Sequence, residues 1–142
     1  MTVQPSVAQA AMIGNPVSFP KVRKLVEEHF DDRFMVVDLT EQEIIEGMLL
    51  ANRHGHVVCT QGGESVAGLR KALAQGLVSK DQNVVVDSTS HQLKFANFQE
   101  SYFQDAFDPA YKIEPRPHLQ NRPVKLSASA QEIAEYLQLK KK

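Results

Sequence analysis

The stretch NVVVDSTSHQLKF (83–95) decides how the fold is interpreted, because it joins an apolar run to a cluster of hydroxyl side chains. Three consecutive valines are typical of a strand that is buried on both faces of a parallel sheet. Ser88 and Thr89 follow at once. Ligands of open parallel sheets bind beyond the carboxyl ends of the strands, so these hydroxyls could face a ligand. They could also cap the next helix, which is the more frequent role for such hydroxyls taken alone.

Two further apolar runs, FMVVDL (34–39) and HVVC (56–59), also predict strands, since they are continuous and rich in β-branched residues. Segments with helical periodicity separate the three runs. Strands that alternate with helices of this length indicate βαβ units with right-handed crossovers. The sequence therefore predicts an α/β fold of three layers, αβα, with a mostly parallel sheet. A proline-rich extended tail and a C-terminal helix follow.

Each predicted helix has a start or stop signal of its own. Thr40 and Glu43 match a capping box at the start of the helix that follows FMVVDL. Ser18 is placed to cap the helix before that run, and Gly76 to end the helix that follows HVVC. The side chains predicted to face the core are Val22, Leu25 and Val26 in the first helix, Ile44, Ile45, Met48 and Leu49 in the second, Val66, Leu69 and Leu73 in the third, and Ile133, Tyr136 and Leu137 in a last helix that starts at a second capping box, Ser129 to Glu132.

Length and composition indicate one ordinary globular domain of 142 residues, with 42% hydrophobic and 23% charged residues. A net charge of -1 gives no electrostatic basis for binding nucleic acid or an anionic membrane. Cys59 is the only cysteine, which excludes an internal disulfide. The start, MTVQPSVAQAAMIG, is a poor secretory signal, so we expect a cytoplasmic protein. The closing lysines, 140–142, suit the negative end of a helix better than a nucleic-acid role.

Two short motifs give weaker signals. Gly62 and Gly63 lie between a predicted strand and helix, where they favour a tight turn with positive φ over a phosphate-binding loop, because no complete glycine-rich motif surrounds them. His54, His56 and Cys59 are too few and too closely spaced to predict a metal site. Cys59 ends an apolar run, so burial is favoured over a role as a nucleophile.

Three stretches in order resemble one family: AAMIGNPVSFPKVRKL, TQGGESVAGLRKALAQGLV and VVVDSTSHQLKF. Their order and spacing are similar to those in the C-terminal part of threonine synthase, a pyridoxal-phosphate enzyme of the tryptophan synthase β-subunit type. The resemblance covers roughly residues 5–95, and the motif at 88–95 is its most specific part. Gln92 stands where the family usually has glycine, and Cys59-Thr60-Gln61 stands where it often has an acidic residue followed by proline or threonine.

The resemblance implies a cofactor role for four residues. In this family a hydroxyl at the position of Thr89 hydrogen-bonds the pyridine nitrogen of pyridoxal phosphate, and a neutral partner leaves that nitrogen largely unprotonated. Asp87 lies two residues earlier on the same predicted face and is the competitor for this contact. Ser88 is adjacent, and the backbone around Gly14 and Asn15 is expected beside the ring.

The family's Schiff-base lysine and its glycine-rich phosphate loop lie upstream of the matched region, and this sequence contains neither pattern. Lys94 does not match the lysine motif. We therefore expect a C-terminal fragment that has no catalytic residue of its own and is inactive alone. Residues 1–100 would form the C-terminal part of the α/β domain, and residues 101–142 an aromatic, proline-rich segment, either wrapped on the domain or a loose linker, with the terminal helix.

The function implied is conversion of O-phospho-L-homoserine and water to L-threonine and phosphate, with an amino-acid substrate and the upstream half of the enzyme as partners. A homodimer is compatible with the sequence. One alternative is another lyase or β-replacement enzyme of this fold, such as a cysteate synthase or a relative of threonine dehydratase. A second alternative is a non-catalytic half-domain that binds a partner chain through an incomplete sheet edge.

Overall fold

The computed structural model describes residues 2–30 and 33–139, and all regular secondary structure in these residues is helical. The α-helices are α1 (Phe19–His29), α2 (Glu41–Arg53), α3 (Thr60–Ala74), α4 (Ala96–Gln104) and α5 (Ala130–Tyr136). Short 3₁₀ helices span Gln9–Ala11, Gln92–Phe95, Pro109–Tyr111 and Pro117–Leu119. The closing lysines at 140–142 lie outside the described residues.

The predicted three-layer αβα fold with a mostly parallel sheet is wrong. Within residues 2–30 and 33–139 no strand forms, and the only β pairing is an isolated antiparallel bridge between Val58 and His91. Residues 34–39 and 83–89 make no backbone hydrogen bond with another described part of the chain. The physical reason is that the N–H and C=O groups of a strand need neighbouring strands as partners. Apolar, β-branched composition gives a preference for such a position and does not supply the neighbours.

Helix α2 begins as predicted. The Thr40 hydroxyl accepts a hydrogen bond from the Glu43 backbone N–H at 3.2 Å, and the Glu43 carboxylate accepts one from the Thr40 backbone N–H at 2.7 Å. This reciprocal pair satisfies two backbone donors that would otherwise have no partner at the helix start. The core-facing side chains predicted for this helix are confirmed as buried: Ile44, Ile45, Met48 and Leu49.

Close contact between α2 and α3 depends on glycine. A Cβ atom added at Gly63 would lie 2.5 Å from the carbonyl oxygen of Ile44, and one added at Gly47 would lie 2.5 Å from the carbonyl oxygen of Gly63. The turn predicted at Gly62 and Gly63 is wrong, because both residues lie in the first turn of α3, and neither has a positive φ. Gly63, with Gly47, lets the two helix backbones approach closely, whereas a Cβ atom at Gly62 would meet the Val58 side chain.

The buried face of α3 also differs from the prediction. Val66, Leu69 and Leu73 are only partly buried, whereas the buried positions are occupied by small or polar residues. The C-terminus follows the prediction: Gly76 has φ +70°, its N–H donates to Leu73, and the N–H of Leu77 donates to Ala72. This is a Schellman motif, which left-handed glycine permits at little cost.

The segment after α4 wraps over α2. Phe98 and Tyr102 of α4 are buried in a cluster of rings with Phe107 and Tyr111. Downstream, the Gln42 side chain bonds both backbone groups of Glu114, at 2.7 and 3.1 Å. The Arg116 backbone donates to the Tyr102 hydroxyl at 2.9 Å, and its guanidinium lies 2.8 Å from Glu46. These contacts hold a proline-rich stretch that has little regular structure of its own.

The first and last helices expose most of their apolar side chains, and Val26 of α1 is only partly buried. Ser18 occupies the N-cap of α1, but its hydroxyl makes no capping hydrogen bond, and α1 and α5 contain no buried residue. The inward orientation predicted for both helices is therefore wrong in this chain. Ser129 caps α5, but the Glu132 carboxylate bonds Ser127 and not the Ser129 backbone, so the second capping box is only half formed.

Candidate functional site

A cleft of about 630 Å³ lies beside the residues singled out by the sequence. That volume is within the usual range of small-molecule sites, about 300–1,000 Å³. Its walls come from the end of α2, the loop after it, the first turns of α3, and residues 86–88. Four polar side chains and a larger apolar surface line it: His54, His56, Asp87 and Ser88, with Leu50, Ala51, Val57, Val58, Gly62, Val66 and Val86.

Asn52 connects the elements that build this cleft. Its side-chain oxygen accepts from the Val58 backbone N–H at 2.9 Å, and its amide group donates to Gln92 at 3.2 Å. Two backbone bonds, Cys59 to Ser90 at 3.0 Å and Gln92 to Val57 at 3.3 Å, join the same two loops. Because of these links, residues 88–91 lie against the start of α3.

The Thr89 hydroxyl lies 3.6 Å from the Cys59 sulfur, and either atom could be the donor. Cys59 is fully buried at the N-cap of α3, while Thr89 is exposed. Neither Thr89 nor Ser88 caps a helix, because the 3₁₀ helix that follows is capped by the ring nitrogen of His91, which accepts from the Leu93 backbone. Both hydroxyls are therefore free of the capping role that the sequence left open.

Of the residues predicted to contact the cofactor, Ser88 lines the cleft, whereas Gly14 and Asn15 do not. Ser88 lines the cleft, together with Asp87, and Thr89 follows directly. Gly14 is partly buried and Asn15 exposed, in the loop between the first 3₁₀ helix and α1. Across the described residues, no hydrogen bond joins Gly14 or Asn15 to Ser88 or Thr89.

The described residues near the cleft do not form a metal-binding group. In the part of the chain that the structure describes, no group of three or more His, Cys, Asp or Glu side chains could hold a metal. A mainly apolar lining with a few polar groups, here His54, His56, Asp87 and Ser88, is typical of small-molecule sites. None of the described helices is long and apolar enough to cross a membrane.

Sequence reasoning missed Asn52 and Gln92. Gln92 was noted only as a departure from the glycine expected there, yet its side chain bonds Asn52 and ties the 88–95 motif to α2. The available signal was an asparagine in the last turn of a helix, two residues before a histidine and glycine. Asparagine there can bond nearby backbone groups.

Curated proteins similar to this chain are threonine synthases. The enzyme of Methanocaldococcus jannaschii is 34% identical over 90 residues, which is 63% of this chain and 22% of that protein. The enzyme of Methanosarcina acetivorans is 37% identical over 90 residues, with the same shares. The chloroplastic threonine synthase 2 of Arabidopsis thaliana is 28% identical over 130 residues, 92% of this chain and 24% of that protein.

These similarities confirm the predicted resemblance to the C-terminal portion of threonine synthase. The chain spans about a quarter of the length of the curated relatives it matches, between 22% and 25%. No protein-family model matches the chain.

Proposed function

We propose that this chain, a sequence relative of the threonine synthases, supplies one wall of the active site of a pyridoxal-phosphate enzyme. The reaction is conversion of O-phospho-L-homoserine and water to L-threonine and phosphate. The observation that supports this most directly is the placement of Thr89: its neutral hydroxyl is exposed, is free of any helix cap, and lies 3.6 Å from the buried Cys59 sulfur.

In this proposal Thr89 holds the ring nitrogen of the cofactor. A hydroxyl can donate a hydrogen bond to a neutral nitrogen without adding charge, whereas a carboxylate would favour the protonated form. Asp87, which lines the cleft two residues earlier, is the carboxylate that would have the opposite effect. Pyridoxal phosphate, when bound, supplies the electron sink for the chemistry at the substrate carbons.

The other residues position this wall. Asn52 and Gln92 join the loop after α2 to the segment that follows Thr89, and Ser88 presents a hydroxyl in the cleft. The backbone of Gly14 and Asn15 would lie beside the ring, as the family resemblance implies. The lysine that carries the cofactor and the phosphate-binding loop would come from an upstream polypeptide.

The first test is borohydride reduction of the chain with pyridoxal phosphate, followed by peptide mass mapping. We expect no stoichiometric adduct at a single lysine, because the cofactor lysine belongs to the upstream part. A single stoichiometric adduct, for example at Lys94, would show that the chain carries its own lysine and would overturn the proposal.

The second test uses a chimera in which this chain replaces the matching 130-residue segment of the Arabidopsis relative. We expect threonine from O-phosphohomoserine, and about a fivefold loss of turnover in Thr89→Ala, since one hydrogen bond contributes roughly 1 kcal/mol. Thr89→Ser is the matched control and should restore most of the activity. An active chimera in which Thr89→Ala has no effect would remove Thr89 from the site.

A further inference from the structure

Side chains of α2 and α3 hold the N-terminal segment at its first 3₁₀ helix. Val7 is completely buried, and its N–H donates to the Glu41 carboxylate of α2 at 2.7 Å. Gln61 of α3 is 8% exposed and faces the backbone N–H groups of Gln9 and Ala10. With its amide oxygen turned toward them, Gln61 accepts both hydrogen bonds, at 3.1 and 3.0 Å. Two helices therefore fix one short segment of the chain.

In residues 2–30 and 33–139, Gln61 is the only hydrogen-bond acceptor for these two N–H groups. The turns that follow are closed locally, with Ala11 donating to Ala8 at 2.8 Å and Met12 to Gln9 at 3.2 Å. Backbone N–H groups in folded chains nearly always have an acceptor, so the two bonds explain why a polar side chain is buried here. They are also the last hydrogen bonds to another helix before Gly14 in the described residues.

The first turn of α3 also adjoins the candidate site. Cys59, the N-cap of α3, has its sulfur 3.6 Å from the Thr89 hydroxyl, and Gly62 lines the cleft. Gln61 lies between these two residues of α3 in the sequence. One helix turn therefore contacts both Thr89 and the segment that leads to residues 14–15.

We propose that Gln61 is a positioning residue of the cofactor site, which holds the segment carrying Gly14 and Asn15 in a fixed place relative to Thr89. This inference rests on the proposed function, because it takes pyridoxal phosphate as the ligand of these residues. Across the described chain no hydrogen bond joins Gly14 or Asn15 to Thr89, so their relative position depends on α3. The role requires an oxygen that accepts two N–H groups, and it does not require the amide nitrogen.

Amide hydrogen exchange in this chain tests the two bonds. Gln61→Met keeps the length of the side chain and removes the acceptor, so the Gln9 and Ala10 amides should exchange at least about fivefold faster. Gln61→Glu keeps an acceptor oxygen, and a carboxylate is favourable in the first turn of a helix, so the original rates should remain. Amides inside α2 are the internal control. Unchanged exchange of both amides in folded Gln61→Met would overturn the proposal.

Gln131→Met is the matched control variant. Gln131 is also the second residue of its helix, α5, but it is exposed, and its side chain bonds only Glu135 one turn later. The substitution should leave exchange at Gln9 and Ala10 unchanged. Equal acceleration in both methionine variants would show a general loss of stability and overturn the proposal.

Binding of pyridoxal phosphate to the chimera with the Arabidopsis relative tests the effect on the site. The dissociation constant, followed by the absorbance of the cofactor, should rise about fivefold in Gln61→Met, which corresponds to roughly 1 kcal/mol. It should stay unchanged in Gln61→Glu and in Gln131→Met. A lower Tm with an unchanged dissociation constant in Gln61→Met would limit Gln61 to a role in folding and overturn the proposal.

Threonine formation separates this inference from the proposed function. A chimera that forms threonine, and binds the cofactor equally well with Gln61→Met, would support the activity and reject the positioning role. A chimera that forms no threonine, but binds the cofactor more weakly with Gln61→Met, would support the positioning role and reject the activity. A chimera that binds no pyridoxal phosphate would overturn both.

Discussion

The α2–α3 pair and the two valine-rich runs, residues 34–39 and 83–89, both carry apolar side chains, yet the environments of these side chains are opposite. Ile45 and Met48 of α2 are completely buried, whereas Val85 is 98% exposed. A helix satisfies its backbone hydrogen bonds internally, so one packed face is enough to stabilise it. A strand needs at least one neighbouring strand to pair with its backbone groups. Helices α2 and α3 therefore satisfy their backbone groups and bury side chains within this chain, whereas the two valine-rich runs do not.

The largest expected difference is between a core and a surface truncation. Ile45→Ala should lower the free energy of unfolding by about 2–5 kcal/mol, because it leaves a cavity in the α2 contact. Val85→Ala should change it by less than about 0.5 kcal/mol in the isolated chain. Urea denaturation of the two variants measures both values. Equal losses would mean that residues 84–86 are already packed in solution.

A glycine pair tests the close approach of α2 and α3. Gly63→Ala should cost about 1–3 kcal/mol, because its Cβ would lie 2.5 Å from the Ile44 carbonyl oxygen and the helices must separate. Gly68→Ala, five residues later on the open side of α3, should stabilise by about 0.5–1 kcal/mol through helix propensity. Thermal unfolding compares them, and effects of the same sign would contradict the helix contact.

Removal of the Tyr102 hydroxyl tests how the proline-rich segment after α4 is held on the helices. Tyr102→Phe removes the acceptor for the Arg116 backbone N–H and should cost about 1 kcal/mol. Tyr136→Phe, on the exposed face of α5, is the matched control and should have no measurable effect. Exchange of the Arg116 amide should become faster in the first variant only. An unchanged rate would mean that the proline-rich segment is held by other contacts.

The smallest expected effects are the pH dependences of two glutamates. A hydrogen bond from the Thr40 backbone lowers the Glu43 pKa below 4.5, so its stabilising contribution is present above that value and is lost as the pH falls through the folded-state pKa. Burial, and then repulsion by Glu41, raises the Glu64 pKa above 4.5, so its contribution favours folding at low pH and is lost as the pH rises through the folded-state value.

Glu43→Gln should therefore destabilise the chain at neutral pH, while Glu64→Gln should stabilise it there. Urea unfolding between about pH 3 and 7 measures both effects, and Glu114→Gln, at an exposed position after α4, is the control. Parallel stability curves for all three variants would show that neither pKa shift affects folding.

Local features of the sequence were predicted well where the interacting groups are close along the chain. The Thr40–Glu43 capping box and the end of α3 at Gly76 depend on residues three to five positions apart. Features that depend on distant groups were not predicted. The start of α3 at Thr60, and the packing role of Gly63, follow from contact with α2.

In the candidate site, too, local features were predicted and contacts between distant residues were not. Ser88 and Thr89 were identified from their motif, because a hydroxyl pair after an apolar run is visible in the sequence. The contact between Thr89 and Cys59 and the hydrogen bond between Asn52 and Gln92 could not be predicted, since they join residues 30 and 40 positions apart. The roles of Gly14, Asn15, Ser88 and Thr89 in cofactor binding remain predictions, as does the division of the chain near residue 100.

By itself the sequence determined the caps, the apolar face of α2, the hydroxyl pair and the relationship to threonine synthase, because these depend on residue types and short spacings. Tertiary structure alone decided that the valine-rich runs form no sheet, that two glycines bring α2 and α3 together, and that Thr89 lies against Cys59. The physical reason is that propensity belongs to a residue, whereas backbone partners and buried contacts belong to pairs of segments.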